Sequence, residues 1–160
     1  MTSPGAQREP LVVTADIEIA AAPARVWRVL TEPEFTARYM FGCVPVTDWR
    51  VGSIVEWRGP VRSKSTSLVL ATGTVLACDP GRRLRYTVFP LGMGLADVPS
   101  NHVPVTVVLT PTAGGTRVEV TQGDFGPGER AQERFEGTRA AWPTTLAGLR
   151  QVAEQDGRRR

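Results

Sequence analysis

Leu11-Val12-Val13-Thr14-Ala15-Asp16-Ile17-Glu18-Ile19 runs on into Ala20-Ala21-Ala22-Pro23-Ala24-Arg25-Val26-Trp27-Arg28-Val29-Leu30, and the pattern changes period on the way. Val13, Ala15, Ile17 and Ile19 alternate with Thr14, Asp16 and Glu18, which predicts a strand with one dry face and one wet face. Pro23 suits a first helical position, where no N–H is needed. Val26, Val29 and Leu30 then recur at helical spacing, so residues 23–30 read as a short amphipathic helix. In Thr31-Glu32-Pro33-Glu34 the spacing of Thr31 and Glu34 predicts a capping box with Pro33 in the first turn. A second short helix should follow, ending near Met40 with Gly42 as its stop.

Beyond this start, residues 44–123 read as strands separated by turns, with candidates at 44–49, 53–59, 68–78, 84–90, 103–111 and 116–123. Asp79-Pro80-Gly81 divides the third from the fourth. Ala113-Gly114-Gly115 joins Val105, Val107 and Leu109 to Val118 and Val120 in a hairpin that leaves Arg117, Glu119 and Thr121 facing water. Residues 59–67 form a polar connection. Residues 91–104 form a longer irregular one, of a length that often carries function. From Gly128 the period becomes helical: Phe135, Thr138, Trp142, Leu146, Leu149 and Val152 make an apolar stripe about 26 residues long. Pro143 lies inside it and should kink or divide the helix by freeing the carbonyl of Arg139. A sheet that is dry on one face must be covered, and the long helix is the available cover. The expected class is α+β. An antiparallel sheet of about six to seven strands is covered by the C-terminal helix, and two short helices follow the first strand.

Length and charge bound the function. With 160 residues the chain is one domain's worth. The reading is a disordered leader over 1–10, a domain over 11–155 and a disordered basic tail over 156–160. The formal charge of +3 comes from Arg158, Arg159 and Arg160; without them 16 basic residues face 16 acidic ones. A neutral body lacks the basic face that phosphate-backbone binding needs, so no nucleic-acid partner is expected. No apolar run approaches a membrane span, and the N-terminus lacks a signal-peptide core, so the expected compartment is the cytoplasm. Cys43 and Cys78 read as buried free thiols. One histidine and two distant cysteines make no metal spacing, and no Gly-rich phosphate loop, dinucleotide fingerprint or nucleophile elbow occurs, so no metal and no cofactor are expected.

The order of elements resembles the helix-grip fold of the START-like, or SRPBCC, superfamily. Four strings carry the resemblance: Ile19 to Glu34 with its Val26-Trp27 and Thr31-Glu32-Pro33-Glu34 corner, Gly73 to Thr87, Gly115 to Gly123, and Trp142 to Glu154. Together they span about residues 11–155. The branch they look most like is the bacterial family named after the activator of the heat-shock-protein-90 ATPase. The resemblance implies a curved sheet wrapped around the long helix and a cavity between them, with the short helices and loops at its mouth. Its implied lining is Val55, Trp57, Tyr86, Val88, Val105, Val107, Phe135, Arg139, Trp142 and Leu146. Tyr39, Phe41, Met93 and His102 are the mouth candidates. Ordinary core packing is the alternative for each aromatic residue, and above all for Trp27. In that cavity Arg139 would pair with a ligand carboxylate, its alternative being a surface pair with Glu133 or Glu136. Tyr86 would donate to a ligand carbonyl, its alternative being a hydroxyl satisfied by backbone. His102 is the only side chain whose ordinary pKa is near neutral.

The function this implies is binding of a small hydrophobic or amphipathic molecule, without catalysis. Two alternatives stand beside it: a polyketide cyclase or aromatase-like enzyme, and a co-chaperone or stress-response module that binds a protein partner. A homodimer is compatible with all three. The fold alone does not choose among them.

Overall fold

The computed structural model describes residues 8–60 and 67–158, with side chains through Gln155. The leader up to Gln7, the tip of the connection at 61–66 and the side chains of the basic tail from Asp156 lie outside the described residues.

The chain order is β1 (Val13–Ile19), α1 (Pro23–Thr31), α2 (Pro33–Tyr39), β2 (Val44–Val46), β3 (Ile54–Pro60), β4 (Ser67–Asp79) and β5 (Arg83–Pro90). A single 3-10 turn (Pro99–Asn101), β6 (Val103–Thr112), β7 (Gly115–Gln122) and α3 (Ala131–Arg158) follow. The seven strands form one antiparallel sheet in the order β1-β7-β6-β5-β4-β3-β2. This is the helix-grip arrangement, an open curved sheet closed on one side by a long helix.

The alternation in β1 works as its spacing dictates: Val13 and Ile19 are buried while Thr14, Asp16 and Glu18 are exposed. Ala15 pairs with Val120 and Ile17 with Val118, which fixes the register of the first hairpin-closing pair. Gly115 begins β7 at a positive φ, where an added Cβ would lie 2.2 Å from the Ile19 carbonyl oxygen, so only glycine lets β1 and β7 close. Bulges between Trp57 and Arg58 and between Val75 and Ala77 interrupt the β3–β4 and β4–β5 ladders. Such bulges bend the strands and raise their twist, curling this half of the sheet.

Three local expectations are corrected. Thr31 belongs to α1, where its hydroxyl donates to the Trp27 carbonyl 2.8 Å away, so it forms no capping box with Glu34. The N-cap of α2 is Glu32, without a side-chain cap. β2 stops at Val46 rather than running to residue 49. There Thr47 Oγ1 accepts from the Trp49 N–H and Asp48 Oδ1 from the Arg50 N–H, a turn that competes with the ladder. Of the two outcomes expected at Pro143, a kink or a division, the division is set aside: α3 continues through the proline as one element.

The main core joins Ile19, Val26, Val29, Val118, Leu149 and Ala153, all at or below 2% exposure, and sits between α1, the C-terminal half of α3 and the β1–β7–β6 side of the sheet. Trp27 packs against it half-buried. A second, smaller cluster gathers Val13, Val103 and Phe125, with Leu11 and Phe135 packed against it at the start of α3. Cys43 and Cys78 are free and half-buried rather than fully buried. Among the described residues no helix is long and apolar enough to cross a membrane.

Candidate functional site

Between the two clusters, α3 stands away from the sheet. It rests on β1, α1 and α2, whereas β3, β4 and β5 curl past it with little contact. The residues of α3 that face this span are Gly137, Thr138, Ala141, Trp142 and Thr145. Apart from Trp142 these are small, so they cannot reach the strands. The result is an open recess of about 370 Å³, walled on the sheet side by Trp57, Ala71, Tyr86, Val88 and Val105. Met40, Cys43 and Leu70 border it as well. At its inner end a narrow cavity of about 40 Å³ continues toward Leu84, Val107, Val118 and Leu146. Trp57, Tyr86 and Trp142 line both spaces and so form the throat between them.

The throat is aromatic. Trp57 and Tyr86 lie 5.8 Å apart between ring centroids, and Trp49 closes the triangle at 6.4 Å and 6.0 Å in edge-on contacts. Edge-to-face packing of this kind fixes the rings relative to one another. Trp49 occupies its place because its backbone adopts a positive φ of 60° in the turn after β2.

The polar atoms of the inner cavity are mostly committed. Tyr39 donates to the Val29 carbonyl at 3.0 Å, Trp49 Nε1 to the Thr31 carbonyl at 3.1 Å, Trp142 Nε1 to Gln122 Oε1 at 2.8 Å and Thr145 to the Ala141 carbonyl at 3.2 Å. Trp57 Nε1 is buried and has no hydrogen-bond partner among the described residues. Burial pushes the Tyr39 and Tyr86 phenols far above their ordinary range. For Tyr86 burial is the whole cause, and its hydroxyl makes no hydrogen bond among the described residues. The Cys43 thiol is also pushed up by burial. No charged side chain lines either space among the described residues.

The residues expected from the sequence divide accordingly. Trp57, Tyr86 and Trp142 meet at the throat, Tyr39, Val107 and Leu146 line the inner cavity, and Val88 and Val105 line the recess. Val55 is in the main core, fully buried, and reaches neither space. Phe41 does not guard the mouth: it follows α2 at a positive φ and is 93% exposed. Phe135 turns into the small cluster, edge-on to Phe125. Arg139 is exposed and lies over the Phe135 ring at 5.1 Å, away from the cavity.

His102 and Met93 are likewise elsewhere, because the long connection folds back onto the start of α3. Glu129 accepts from the Ala96 N–H and from Asn101 Nδ2, Arg130 donates to the Met93 carbonyl, and Arg134 to the Asn101 carbonyl. The hydrogen bonds from the Ala96 N–H and Asn101 Nδ2 hold the Glu129 carboxyl below its ordinary pKa. His102 stacks on Phe89 at 4.6 Å and pairs with Asp97 at 2.6 Å. The sequence reading missed Trp49, Leu70, Ala71, Gln122, Gly137 and Ala141. The run of small residues on α3 was a signal for Gly137 and Ala141 alone.

The chain belongs to the family described as Activator of Hsp90 ATPase homolog 1-like protein, which it matches over residues 20–154. The solution structure of ChR145 from Cytophaga hutchinsonii is 33% identical, with a TM-score of 0.71 over 93% of this chain and 98% of that one. The Aha1 dimer from Colwellia psychrerythraea shares the fold at 15% identity, with a TM-score of 0.66 over 89% of this chain and 96% of that one. DynU16, from the dynemicin biosynthetic locus, shares it at 19% identity, with a TM-score of 0.68 over 91% of this chain and 48% of that one. No curated protein sequence matches the chain.

Proposed function

We propose that this protein binds a small hydrophobic molecule in the space between α3 and strands β3 to β5. One observation carries the reading: a recess of about 370 Å³ with a predominantly apolar lining separates a helix from a sheet that elsewhere pack tightly. That volume falls in the range of roughly 300–1,000 Å³ usual for small-molecule sites.

Binding is favoured over catalysis by the lining itself. General acid–base work calls for a group that titrates near neutral pH. The ionisable groups at hand are the Tyr39 and Tyr86 phenols and the Cys43 thiol, and burial moves all three away from neutrality. The co-chaperone alternative has the family description on its side, but a shared fold does not transfer an activity. A homodimer finds support in the fold neighbour from Colwellia psychrerythraea, a dimer itself.

The test is titration with Nile red, a neutral dye that brightens in apolar surroundings. Saturable binding of one dye per chain is expected, and Ala141→Leu, which places a branched side chain in the recess, should weaken it at least tenfold. Absence of saturable binding, or equal binding by the variant, would overturn the reading.

A further inference from the structure

The walls of the cavity say more than that it is greasy. Among the described residues, six side chains of the inner cavity carry a polar hydrogen, from Tyr39, Trp49, Trp57, Tyr86, Trp142 and Thr145. Four of them are spent inside the protein on Val29, Thr31, Gln122 and Ala141. Two remain at the same throat: Trp57 Nε1–H, which is buried without a partner among the described residues, and the Tyr86 hydroxyl, which makes no hydrogen bond among them but is not itself sealed from solvent. A buried donor without an acceptor costs about 1–3 kcal/mol. Evolved interiors seldom keep such a group unless something else satisfies it.

The electrostatic side is equally selective. Neither space has a lysine, arginine, histidine, aspartate or glutamate in its described lining. Taking an isolated charge into such surroundings costs far more than a hydrogen bond returns. A carboxylate ligand would need a cation, and Arg139, one turn before Trp142 on α3, is turned outward over Phe135.

Resting on the binding reading above, we propose that the ligand is an uncharged, ring-sized hydrophobic molecule carrying a carbonyl or similar acceptor oxygen, which enters acceptor first and receives hydrogen bonds from Trp57 Nε1–H and Tyr86 OH at the throat. Its apolar body fills the recess between Val88, Val105 and Ala141. The rings of Trp57, Tyr86 and Trp142 supply flat walls on which an aromatic or alicyclic body stacks. A phenol is protonated across the neutral range, and burial pushes that of Tyr86 further up, so its hydroxyl stays a donor there. Such a site discriminates, since a ligand without the acceptor leaves the buried Trp57 donor unpaired.

Three probes of one size separate the possibilities: 2-acetylnaphthalene as the neutral ketone, 2-isopropylnaphthalene as its hydrocarbon counterpart and 2-naphthoate as the carboxylate. Affinities come from calorimetry, and the position of each probe from ¹H–¹⁵N spectra in which the four tryptophan indoles report separately. The ketone is expected to bind about five- to tenfold more tightly than the hydrocarbon, as one or two net hydrogen bonds would give. It should move the Trp57 indole resonance downfield, and 2-naphthoate should bind at least tenfold more weakly than the ketone. Tyr86→Phe should lower ketone affinity several-fold and leave the hydrocarbon within twofold. The indole shift is read on the unsubstituted protein, so the test stands even if a throat variant folds poorly. Equal binding of ketone and hydrocarbon in the recess, with the Trp57 indole unmoved, would overturn this inference while leaving the binding reading intact. Tighter binding of 2-naphthoate would do the same. If none of the three perturbs the amides of Val88, Val105 or Ala141, the binding reading fails and this inference with it.

Discussion

The two halves of α3 are made differently, and the contrast explains where the molecule is hollow. From Leu146 onward the inward positions carry Leu146, Leu149, Val152 and Ala153, all buried at 5% exposure or less, and the helix sits down on α1 and the β1–β7 side of the sheet. From Gly137 to Thr145 the positions lining the recess carry Gly137, Thr138, Ala141 and Thr145, with Trp142 as the one large residue, and Gly137 and Ala141 stand exposed at its open side. A helix axis held at both ends cannot collapse onto the sheet in between, so the missing side-chain volume becomes a recess. The lesson is that side-chain size along one helix face, rather than the fold, decides which part of the interior is filled. Protein interiors pack to crystal-like density, so a gap of this size is a departure that needs a cause.

The sharpest way to break that contrast is to substitute both halves. Leu149→Ala should destabilise the protein by about 2–5 kcal/mol, because it removes a side chain 2% exposed from a region with no room to adjust. Ala141→Leu, on the open half, should change stability by less than about 1 kcal/mol, since the added atoms enter existing space. Urea unfolding at pH 7 reads both. If Ala141→Leu costs as much as Leu149→Ala, the recess closes in solution and the contrast is lost.

A smaller effect is expected where α2 meets the closed half. An added Cβ on Gly148 would lie 2.8 Å from Tyr39 Cβ, so glycine is what lets α2 lie against α3. Gly148→Ala should cost about 1–3 kcal/mol through forced displacement. It should also disturb the cavity, because Tyr39 and Met40 line it. Nile red affinity should therefore change together with the urea midpoint. A loss of stability with unchanged dye binding would mean that α2 moves without the cavity noticing.

Which parts of this were legible in the sequence follows from the range of the interactions. Period-two alternation in β1, β6 and β7 and the helical stripe of α3 are local signals, so the order of elements could be read directly. Trp57, Tyr86 and Trp142 were legible as inward residues because large aromatics on a dry face have few other places to go. The recess was not, because it arises from what Gly137 and Ala141 lack and from a bulge between Trp57 and Arg58 that no short-range pattern announces. His102 and Met93 were misplaced for a related reason. The clasp that carries their loop away from the mouth joins Asn101 to Glu129, 28 residues apart. Arg139 was one turn from Trp142 in sequence, yet its stem chose the face of Phe135.

The weakest expected effect concerns the small cluster that brackets the recess on its other side. Asp124 anchors the incoming chain there: it accepts from Arg8 at 3.0 Å and from the backbone N–H groups of Gly126 and Leu11 at 2.8 Å, and Leu11 packs against the cluster. These contacts, the Arg8 hydrogen bond first, lower the Asp124 carboxyl to about 2. An unfolded aspartate titrates near 3.9. The lowered folded value means that the stabilisation is fully present above about pH 4 and is lost as the pH falls through about 2. The Asp124 side chain is 30% exposed and that of Arg8 48%, so solvent screens much of the attraction and the effect should shrink further in high salt. Asp124→Asn should therefore have a lower urea midpoint than the unsubstituted protein at pH 7, and the gap should narrow as the pH drops from 4 toward 2. A gap that stays constant over that range would show that geometry, not charge, holds the leader to the small cluster. The bracket would then be as purely a matter of packing as the closed half of α3.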